Sequence, residues 1–253
     1  LKMYIEKGGV YFDITPERTP SGVSLTDPFT TVSGSTTVTV TDANGGYVNG
    51  DFVTFSGASA AGGLTLNGEF QITYSTGNTY TIESSSAASS SATGGGSVTA
   101  KYQLNVGPEF AVPLVGWGAG GRSEGTWGNG AVSTDSLRLW SQSNFGEDLV
   151  FGPRGSSIYY WDATNGLTTR AVELSALSGA SNTPTKQNFI LVSDVSRFVF
   201  CFGANTLGTS TQDPMLIRWS DQEDAANWTP SATNQAGDLR LSQGSEIIGA
   251  LQA

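Results

Sequence analysis

Three carboxylates lie close together between Trp219 and Trp228, and this segment is the first candidate for chemistry. Asp221, Glu223 and Asp224 could serve a glycosidase, which needs two carboxylates facing each other across the scissile bond. They could also bind calcium, which needs several oxygen ligands close together. A third interpretation is a loose Ser-x-Asp-x-Gly-x-x-Trp turn, although its glycine is absent here and such a turn is structural. We favour a solvated turn with Trp228 packed beneath it.

Two other acidic positions are also best explained by turns. Glu147 and Asp148 are adjacent, and because adjacent strand residues point to opposite faces, they should not converge on one substrate atom. Asp162 precedes an Asn165-Gly166 turn. The arginines are spread singly through the predicted strands: Arg138, Arg154, Arg170, Arg197, Arg218 and Arg240. This spacing does not favour a site in which three arginines bind one carboxylate.

The missing residue types exclude several kinds of active site. There is no histidine, which excludes His-based triads, imidazole bases and His metal ligands. The single cysteine, Cys201, excludes a disulfide within the chain and a multi-Cys zinc site. It lies in the apolar run Phe198–Phe202, so we expect a buried, unreactive thiol. We therefore predict that the protein is not an enzyme and has no catalytic residue, cofactor or metal.

A glycine- and tryptophan-rich stretch covers residues 116–130. It lacks the Gly-Lys-Ser/Thr of a phosphate-binding loop, and no predicted helix follows it. Trp117 and Trp127 have two interpretations that the sequence leaves open. They could be exposed anchors for a protein partner, since aromatic residues dominate interface hot spots, or they could fill a seam inside the protein. We name both as candidate interface residues.

Composition narrows the classes of partner. The 253 residues carry a formal charge of −10, which argues against a grip on nucleic acid through phosphate neutralisation. Only 13% of residues are charged, against roughly 25% in ordinary domains. No run reaches the roughly 18–20 apolar residues of a membrane span, and no signal peptide is visible. The chain begins at Leu1 and not at methionine, which we interpret as processing or an incomplete piece.

The pattern of residues predicts an all-β fold. Short β-branched or aromatic runs alternate with Gly, Asn, Asp and Ser turns every 8–12 residues, which is typical of all-β proteins. The segments 2–6 and 10–14 read as a hairpin around Lys7-Gly8-Gly9. The best helical candidate, Ala171–Leu177, is short, and no amphipathic helix is predicted.

Residues 23–100 differ from the rest of the chain and read as a separate module. They contain no Lys or Arg and five acids. Predicted strands cover 36–41, 51–55, 69–74, 79–83 and 97–102, which indicates a small β-sandwich or β-barrel. Ser84–Ser97 holds only small residues and reads as a loop or a frayed edge. We favour insertion of this module into a larger domain made of residues 1–22 and 101–253, over simple tandem order.

The remaining strands come in groups of four, which is typical of β-propeller blades. The first group covers 137–141, 147–152, 156–161 and 168–174. The second covers 189–193, 197–203, 215–220 and a short piece around Trp228, and a third begins at 239–241 and 247–251. Two groups and a part cannot close a propeller, so we expect an incomplete set of propeller-like blades.

Several segments together resemble a family of virion proteins from short-tailed bacteriophages, the tail nozzle or tail tubular proteins. The segments are Tyr4–Glu6, Tyr11–Pro16, Asn49–Gly57, Leu137–Trp140, Asn144–Leu149, Asp213–Pro214 and Trp219–Glu223. The resemblance implies a β-propeller body that assembles as a hexameric tube below the portal and adaptor of the tail. It implies as partners other copies of the chain, the tail adaptor and tail fibres, with DNA passing through without specific binding. No catalytic residue carries over.

Three functional hypotheses follow. The first is a structural nozzle subunit in the virion tail, part of the DNA conduit. The second is a tail fibre or receptor-binding virion protein that contacts the host surface. The third is a carbohydrate-active enzyme, which requires converging carboxylates. Under the first, part of the negative charge lines a lumen and repels DNA phosphates, whereas the plainer interpretation is that the acidity serves solubility.

Overall fold

The described part of the chain is built almost entirely from β-strands. The computed structural model describes residues 2–43, 46–104 and 139–252, and within these ranges there are nineteen strands, two short 3-10 helices and no α-helix. The all-β prediction is therefore confirmed. The chain divides into two compact units, Thr15–Asn105 and the combination of Leu1–Ile14 with Val106–Ala253. Among the residues described, no helix is long and apolar enough to cross a membrane.

A β-hairpin stands at the start of the described chain, as the sequence predicts. Its strands β1 (Tyr4–Lys7) and β2 (Val10–Asp13) pair antiparallel. Gly8 and Gly9 form the turn with φ of 64° and 83°, left-handed conformations that side chains larger than glycine rarely adopt. Among the described residues, the hairpin forms a two-stranded sheet.

The unit Thr15–Asn105 is a β-sandwich made of nine strands. They are β3 (Val23–Thr26), β4 (Phe29–Thr31), β5 (Thr37–Thr41), β6 (Phe52–Ser56), β7 (Gly68–Gln71), β8 (Tyr74–Thr76), β9 (Thr79–Glu83), β10 (Ala92–Gly94) and β11 (Ser97–Tyr102). One sheet has the order β3-β11-β6-β7 and the other β10-β4-β5-β9-β8. All neighbouring strands are antiparallel.

Alternation of apolar and polar side chains builds the sandwich core. In β5, Val38 and Val40 are fully buried while Thr37 and Thr41 are exposed, as the period of two predicts. Buried side chains from both sheets share a single core: Phe29, Val38, Val40, Val53, Phe55, Tyr80, Ile82, Val98, Ala100 and Tyr102. The two sheets therefore pack face to face as a sandwich.

Parts of the sandwich differ from the sequence prediction. Strands β3 and β4 were not predicted, because they are short and rich in Ser and Thr. They belong to different sheets and are separated by Asp27, whose φ of 45° makes the sharp change of direction. The predicted strand 69–74 is two strands, β7 and β8. The small-residue stretch Ser84–Ser97 contributes the edge strand β10, paired with β4.

Buried hydroxyls form a hydrogen-bonded chain inside the sandwich. The hydroxyl oxygens of Tyr80 and Tyr102 are 2.9 Å apart, and the Tyr102 hydroxyl donates to Asp42 Oδ2 at 2.6 Å. The Tyr47 hydroxyl donates to the backbone oxygen of Asp42 at 2.7 Å. Burial raises the pKa of Tyr80 and of Tyr102, so both phenols stay protonated and remain donors. These hydroxyls thereby hold the side chain of Asp42, a residue that is only 2% exposed.

The two ends of the sandwich unit lie side by side. Glu17 and Gln103 form an antiparallel bridge. One residue further out on each side, the Leu104 N–H donates to the Pro16 carbonyl at 2.9 Å. The chain therefore enters and leaves this unit at the same place.

The other unit contains two four-stranded antiparallel sheets whose strands follow one another in chain order. The first meander comprises β12 (Trp140–Phe145), β13 (Asp148–Pro153), β14 (Tyr159–Trp161) and β15 (Val172–Glu173). The second meander comprises β16 (Phe189–Val192), β17 (Val199–Phe202), β18 (Leu216–Trp219) and β19 (Gly237–Arg240). The four strands of the first group and the first three of the second overlap the segments that the sequence predicts.

The fourth strand of the second meander is a correction to the prediction. The strand predicted around Trp228 is not formed, because this tryptophan is buried in a loop before Pro230, and its apolar character reflects burial and not strand pairing. The segment 239–241, predicted to begin a third group, instead overlaps β19, and residues 247–251 form no strand. The helical candidate Ala171–Leu177 contains β15 and a 3-10 helix, Leu174–Ala176.

The two meanders pack on each other through a shared core. The first meander and the loops between its strands contribute Phe145, Val150, Ile158 and Leu174. The second meander contributes Ile190, Val192, Val199, Cys201 and Leu216. The backbone N–H groups of Ile190 and Val192 donate to the hydroxyls of Ser141 and Ser143, at 3.2 and 3.1 Å. Ser141 pairs with Ile190 and Ser143 with Val192, so the residue numbers increase in the same direction along both strands. β12 and β16 therefore run side by side and parallel.

Candidate functional site

The acidic segment between Trp219 and Trp228 is a self-contained turn. Asp221 Oδ1 accepts hydrogen bonds from the N–H groups of Gln222 and Gln235, at 2.8 and 2.9 Å. Asp224 Oδ1 accepts from the Ala226 N–H at 2.9 Å. Trp228 is 1% exposed beneath the turn. These two carboxylates therefore hold backbone groups, as the structural interpretation of the sequence predicts.

Asp148 and Asp162 also bind groups of the protein itself. Asp148 accepts from the Tyr160 hydroxyl and, through Oδ1, from the Ala163 N–H at 2.9 Å. Asp162 Oδ1 caps the 3-10 helix Ala163–Asn165, accepting from the N–H and the hydroxyl of Thr164 at 2.8 and 2.6 Å. In the ranges 2–43, 46–104 and 139–252, no group of three or more potential metal-binding side chains is found.

The cap at Asp162 gives a prediction about pH. The hydroxyl and N–H of Thr164 hold the pKa of Asp162 below its usual value. A lowered pKa in the folded state means that this stabilisation is complete above about pH 4, the ordinary carboxyl pKa, and is lost as pH falls through the folded pKa. NMR titration of the Asp162 carboxyl carbon should give a pKa below about 3.9, and Thr164→Val should raise it. A pKa that Thr164→Val leaves unchanged would contradict this assignment.

Arg218 and Cys201 lie in the core of the second meander. The Arg218 guanidinium donates to the backbone oxygens of Asn205, Asn182 and Trp228 at 3.3, 2.5 and 3.5 Å, and the residue is 2% exposed. Burial lowers the pKa of Arg218 and raises the pKa of the Cys201 thiol. The prediction of a buried cysteine is confirmed. The even distribution of the arginines along the sequence gives no sign that Arg218 is a core residue.

The second meander is apolar on both faces, and the face turned away from the first meander is the candidate assembly surface. We call it the aromatic face. The strand register forms one row of Phe189, Phe202, Ile217 and Leu239 and another of Leu191, Phe200, Trp219 and Gly237, with Phe198 at the end. Every large side chain of this face is partly or mostly exposed, and Leu239 is 54% exposed. A sheet with two apolar faces needs a layer on both.

Trp219 is the largest side chain of the aromatic face. Its indole lies over Gly237, where an added Cβ would come within 2.5 Å of the ring. The indole N–H donates to the Gln235 carbonyl at 2.7 Å. The Phe200 ring packs against the rings of Phe202 and Trp219, with both centroid distances at 6.3 Å. The rings of the aromatic face thus pack against one another and against Gly237.

Residues 247–252, which we call the tail segment, run beside the first strand of this meander. The Ile247 N–H donates to the Pro214 carbonyl at 3.0 Å, and the Asn188 amide to the Ile247 carbonyl at 3.5 Å. At the other end, the Asp194 N–H donates to the Gln252 side chain at 3.3 Å. Five residue steps of the tail segment thus match the six steps from Asn188 to Asp194, which requires a nearly extended chain.

Sequence reasoning missed the aromatic face, although a signal for it was present. Phe189–Val192 and Phe198–Phe202 are apolar at every position, which indicates strands buried on both sides. The candidate interface residues named from the sequence, Trp117 and Trp127, lie outside the described residues together with the whole glycine-rich stretch 116–130.

The sequence matches no protein-family model and no curated protein. Among solved structures, the chain is similar to the Phage phi92 endosialidase, with a TM-score of 0.28 and 16% sequence identity. The similarity covers 89% of this chain and 32% of that chain, so the present chain spans about a third of that protein.

Proposed function

We propose that this protein is a structural component of the tail of a short-tailed bacteriophage, a nozzle subunit that works by association and not by catalysis. The observation that carries the proposal is the aromatic face, an apolar sheet surface whose described side chains are partly exposed and suited to packing against a further protein layer. The segments quoted for the sequence resemblance, such as Asn144–Leu149 and Trp219–Glu223, support the assignment to a tail. The carboxylates of Asp221, Asp224, Asp148 and Asp162 bind the protein's own backbone, which agrees with a role in structure and not in catalysis.

The two meanders and the tail segment support a propeller-like body. β12, β16 and the tail segment run side by side in one direction, each being the first chain segment of its layer. Successive blades of a propeller start in this way. We propose that residues 1–22 and 101–253 form this body as an incomplete set of blades and that residues 23–100 are its inserted module.

The proposed partners are other copies of the chain in a hexameric ring, the tail adaptor and tail fibres. DNA would pass through the ring without specific binding. A formal charge of −10 favours passage, since carboxylates on a lumen wall repel phosphates at short range.

Electron cryomicroscopy of virions that contain this chain tests the proposal. We expect six copies around the tail axis, with carboxylates outnumbering Lys and Arg on the lumen wall. Peripheral trimers that contact the host surface would replace the nozzle proposal by the tail-fibre or receptor-binding alternative. Turnover of host polysaccharide by the purified chain would instead indicate a carbohydrate-active enzyme.

A further inference from the structure

The sandwich unit carries a groove on one side, which we call the side groove. The structure describes every residue of this unit except 44, 45 and 105. The side groove has a volume of about 520 Å³, within the roughly 300–1,000 Å³ of small-molecule sites. It lies where β7, the edge strand of one sheet, comes close to β9 of the other. Exposed side chains of Glu69, Gln71, Thr73 and Glu83 line it, and all of its described lining residues belong to the sandwich.

Hydrogen bonds from the protein orient the two carboxylates of the side groove. Glu83 accepts from the hydroxyls of Thr36 and Thr37, at 2.9 and 2.7 Å. Glu69 accepts from the side-chain amide of Gln103, a residue that is 2% exposed. A carboxylate offers about four lone-pair positions, and the two threonines occupy two of those on Glu83. Glu83 can therefore accept further hydrogen bonds from a ligand while the threonines hold its orientation.

Uncharged groups of the side groove are held in the same way. The Thr73 hydroxyl donates to the Thr81 carbonyl at 3.1 Å and lies 2.9 Å from the Thr81 hydroxyl. Asn67, another lining residue, accepts from the Ala58 N–H at 2.9 Å and donates to the Ala58 carbonyl at 3.2 Å. A ligand would therefore meet polar groups whose positions are set before binding, which reduces the entropy lost on association.

Phe70 supplies an apolar part of the wall. It lines the side groove and is partly exposed, and its ring packs against the ring of Phe55 with a centroid distance of 5.9 Å. An aromatic ring beside a few fixed polar groups is typical of small-molecule sites. Sugars suit such a wall, because a sugar ring has apolar C–H groups on its faces and hydroxyls around its edge.

Charge narrows the class of ligand further. Residues 23–100 contain no Lys or Arg, and the carboxylates of Glu69 and Glu83 would repel phosphate, sulfate or acidic sugars. Sugar hydroxyls can donate to these carboxylates, in charge-assisted hydrogen bonds that are stronger than neutral ones. They can also accept from the amides of Asn67 and Gln71. An ammonium group has donors only, so a cation would satisfy the carboxylates and leave these amide donors without a partner on the ligand.

We propose that the side groove of the sandwich binds a neutral oligosaccharide. Glu69 and Glu83 accept hydrogen bonds from the sugar hydroxyls, and Phe70 packs against the face of a sugar ring. This binding activity goes beyond the structural role in the tail. It does not require assembly of a ring, because the described wall of the side groove is formed by one unit of a single copy.

Glycan arrays and isothermal titration calorimetry test the site on the full chain. The array carries neutral oligosaccharides of glucose, galactose, mannose and N-acetylglucosamine, beside acidic oligosaccharides that contain uronic or sialic acids. We expect binding to neutral glycans only. For the neutral glycan with the strongest signal, Glu83→Gln should weaken binding about tenfold, and Gln71→Ala about threefold, since each removes a hydrogen bond to the sugar. Glu147→Gln makes the same change as Glu83→Gln at an exposed position of the other unit and should bind as the unmodified chain.

Hydrogen exchange in β5 and β9 shows whether the variants keep the sandwich intact. If exchange changes in Glu83→Gln, the affinity of Gln71→Ala decides, because the Gln71 side chain is exposed and makes only a long contact of 3.5 Å to the Gly50 carbonyl. Unchanged affinity in an intact variant would contradict the assignment of the side groove.

Three further results would overturn the inference. These are a chain that binds none of the neutral glycans, a chain that binds acidic glycans equally well, and a chain that binds spermine but no sugar, which would indicate a cation site. The proposed function is tested separately. Cryomicroscopy that places the chain outside the tail ring would remove the nozzle proposal and leave a groove that binds sugar standing.

Discussion

Replacing Arg218 by alanine should destabilise the unit that contains the two meanders by about 3–5 kcal/mol. The substitution removes the donors of three backbone oxygens, on Asn182, Asn205 and Trp228, and leaves a cavity beside the Trp228 ring, whose centroid is 6.0 Å from the guanidinium carbon. Buried carbonyls that lose their donors pay the full cost of desolvation. Since native domains are stable by about 5–15 kcal/mol, much of the stability of this unit should be lost.

Tryptophan fluorescence during urea unfolding can measure this loss. All six tryptophans follow residue 105, so their emission reports on the unit with the meanders and not on the sandwich. Arg240→Met is the matched control, because Arg240 is exposed and pairs with Asp213 at 2.6 Å, and such pairs contribute about 0–1 kcal/mol. Arg218→Met separates the two causes, since it restores volume without donors and should still cost about 2–3 kcal/mol. A loss below about 1 kcal/mol for Arg218→Ala would contradict the assignment.

Replacing Tyr102 by phenylalanine should destabilise the sandwich by about 1–3 kcal/mol. The change removes one oxygen atom, which donates to Asp42 at 2.6 Å and lies 2.9 Å from the Tyr80 hydroxyl. The ring remains, and with it the contact to Arg18, whose guanidinium carbon lies 5.1 Å from the ring centroid. The loss therefore measures the hydrogen bond to a buried carboxylate.

Hydrogen exchange measured by mass spectrometry reports on the sandwich alone. Backbone amides of β5 and β9 should exchange about tenfold faster for each 1.4 kcal/mol lost. Tyr74→Phe is the control, since Tyr74 is 60% exposed and should leave exchange unchanged. Equal exchange in the Tyr102→Phe chain and the unmodified chain would show that the hydroxyl chain contributes nothing to stability.

Local patterns were sufficient to predict much of the fold. The Thr-Val alternation of β5 fixes which side chains are buried, because the side-chain period of a strand is two. The Gly8-Gly9 turn predicts the hairpin, since only glycine adopts its backbone angles without strain. The structural role of the acidic turn also follows from sequence, because Asp side chains in turns commonly hydrogen-bond the backbone nearby.

Other features depend on contacts between distant segments and could not be predicted. Trp228 resembles a strand residue in sequence, but it lies in a loop and is buried by packing against the second meander. The fourth strand forms instead at Gly237, where a residue without a side chain leaves room for the Trp219 ring. The acceptors of Arg218 come from three separate loops. The apolar sequence of β17 indicates a strand with two apolar faces, but only the packing of the sheets shows which face contacts the first meander.

The adjacent ends of the sandwich have a consequence for how such a chain can evolve. Because Glu17 bridges Gln103, everything between them can be exchanged for another cassette, or for a tight loop, without lengthening the path that the flanking polypeptide must follow. Related chains could in this way exchange the sandwich while keeping the rest of the fold.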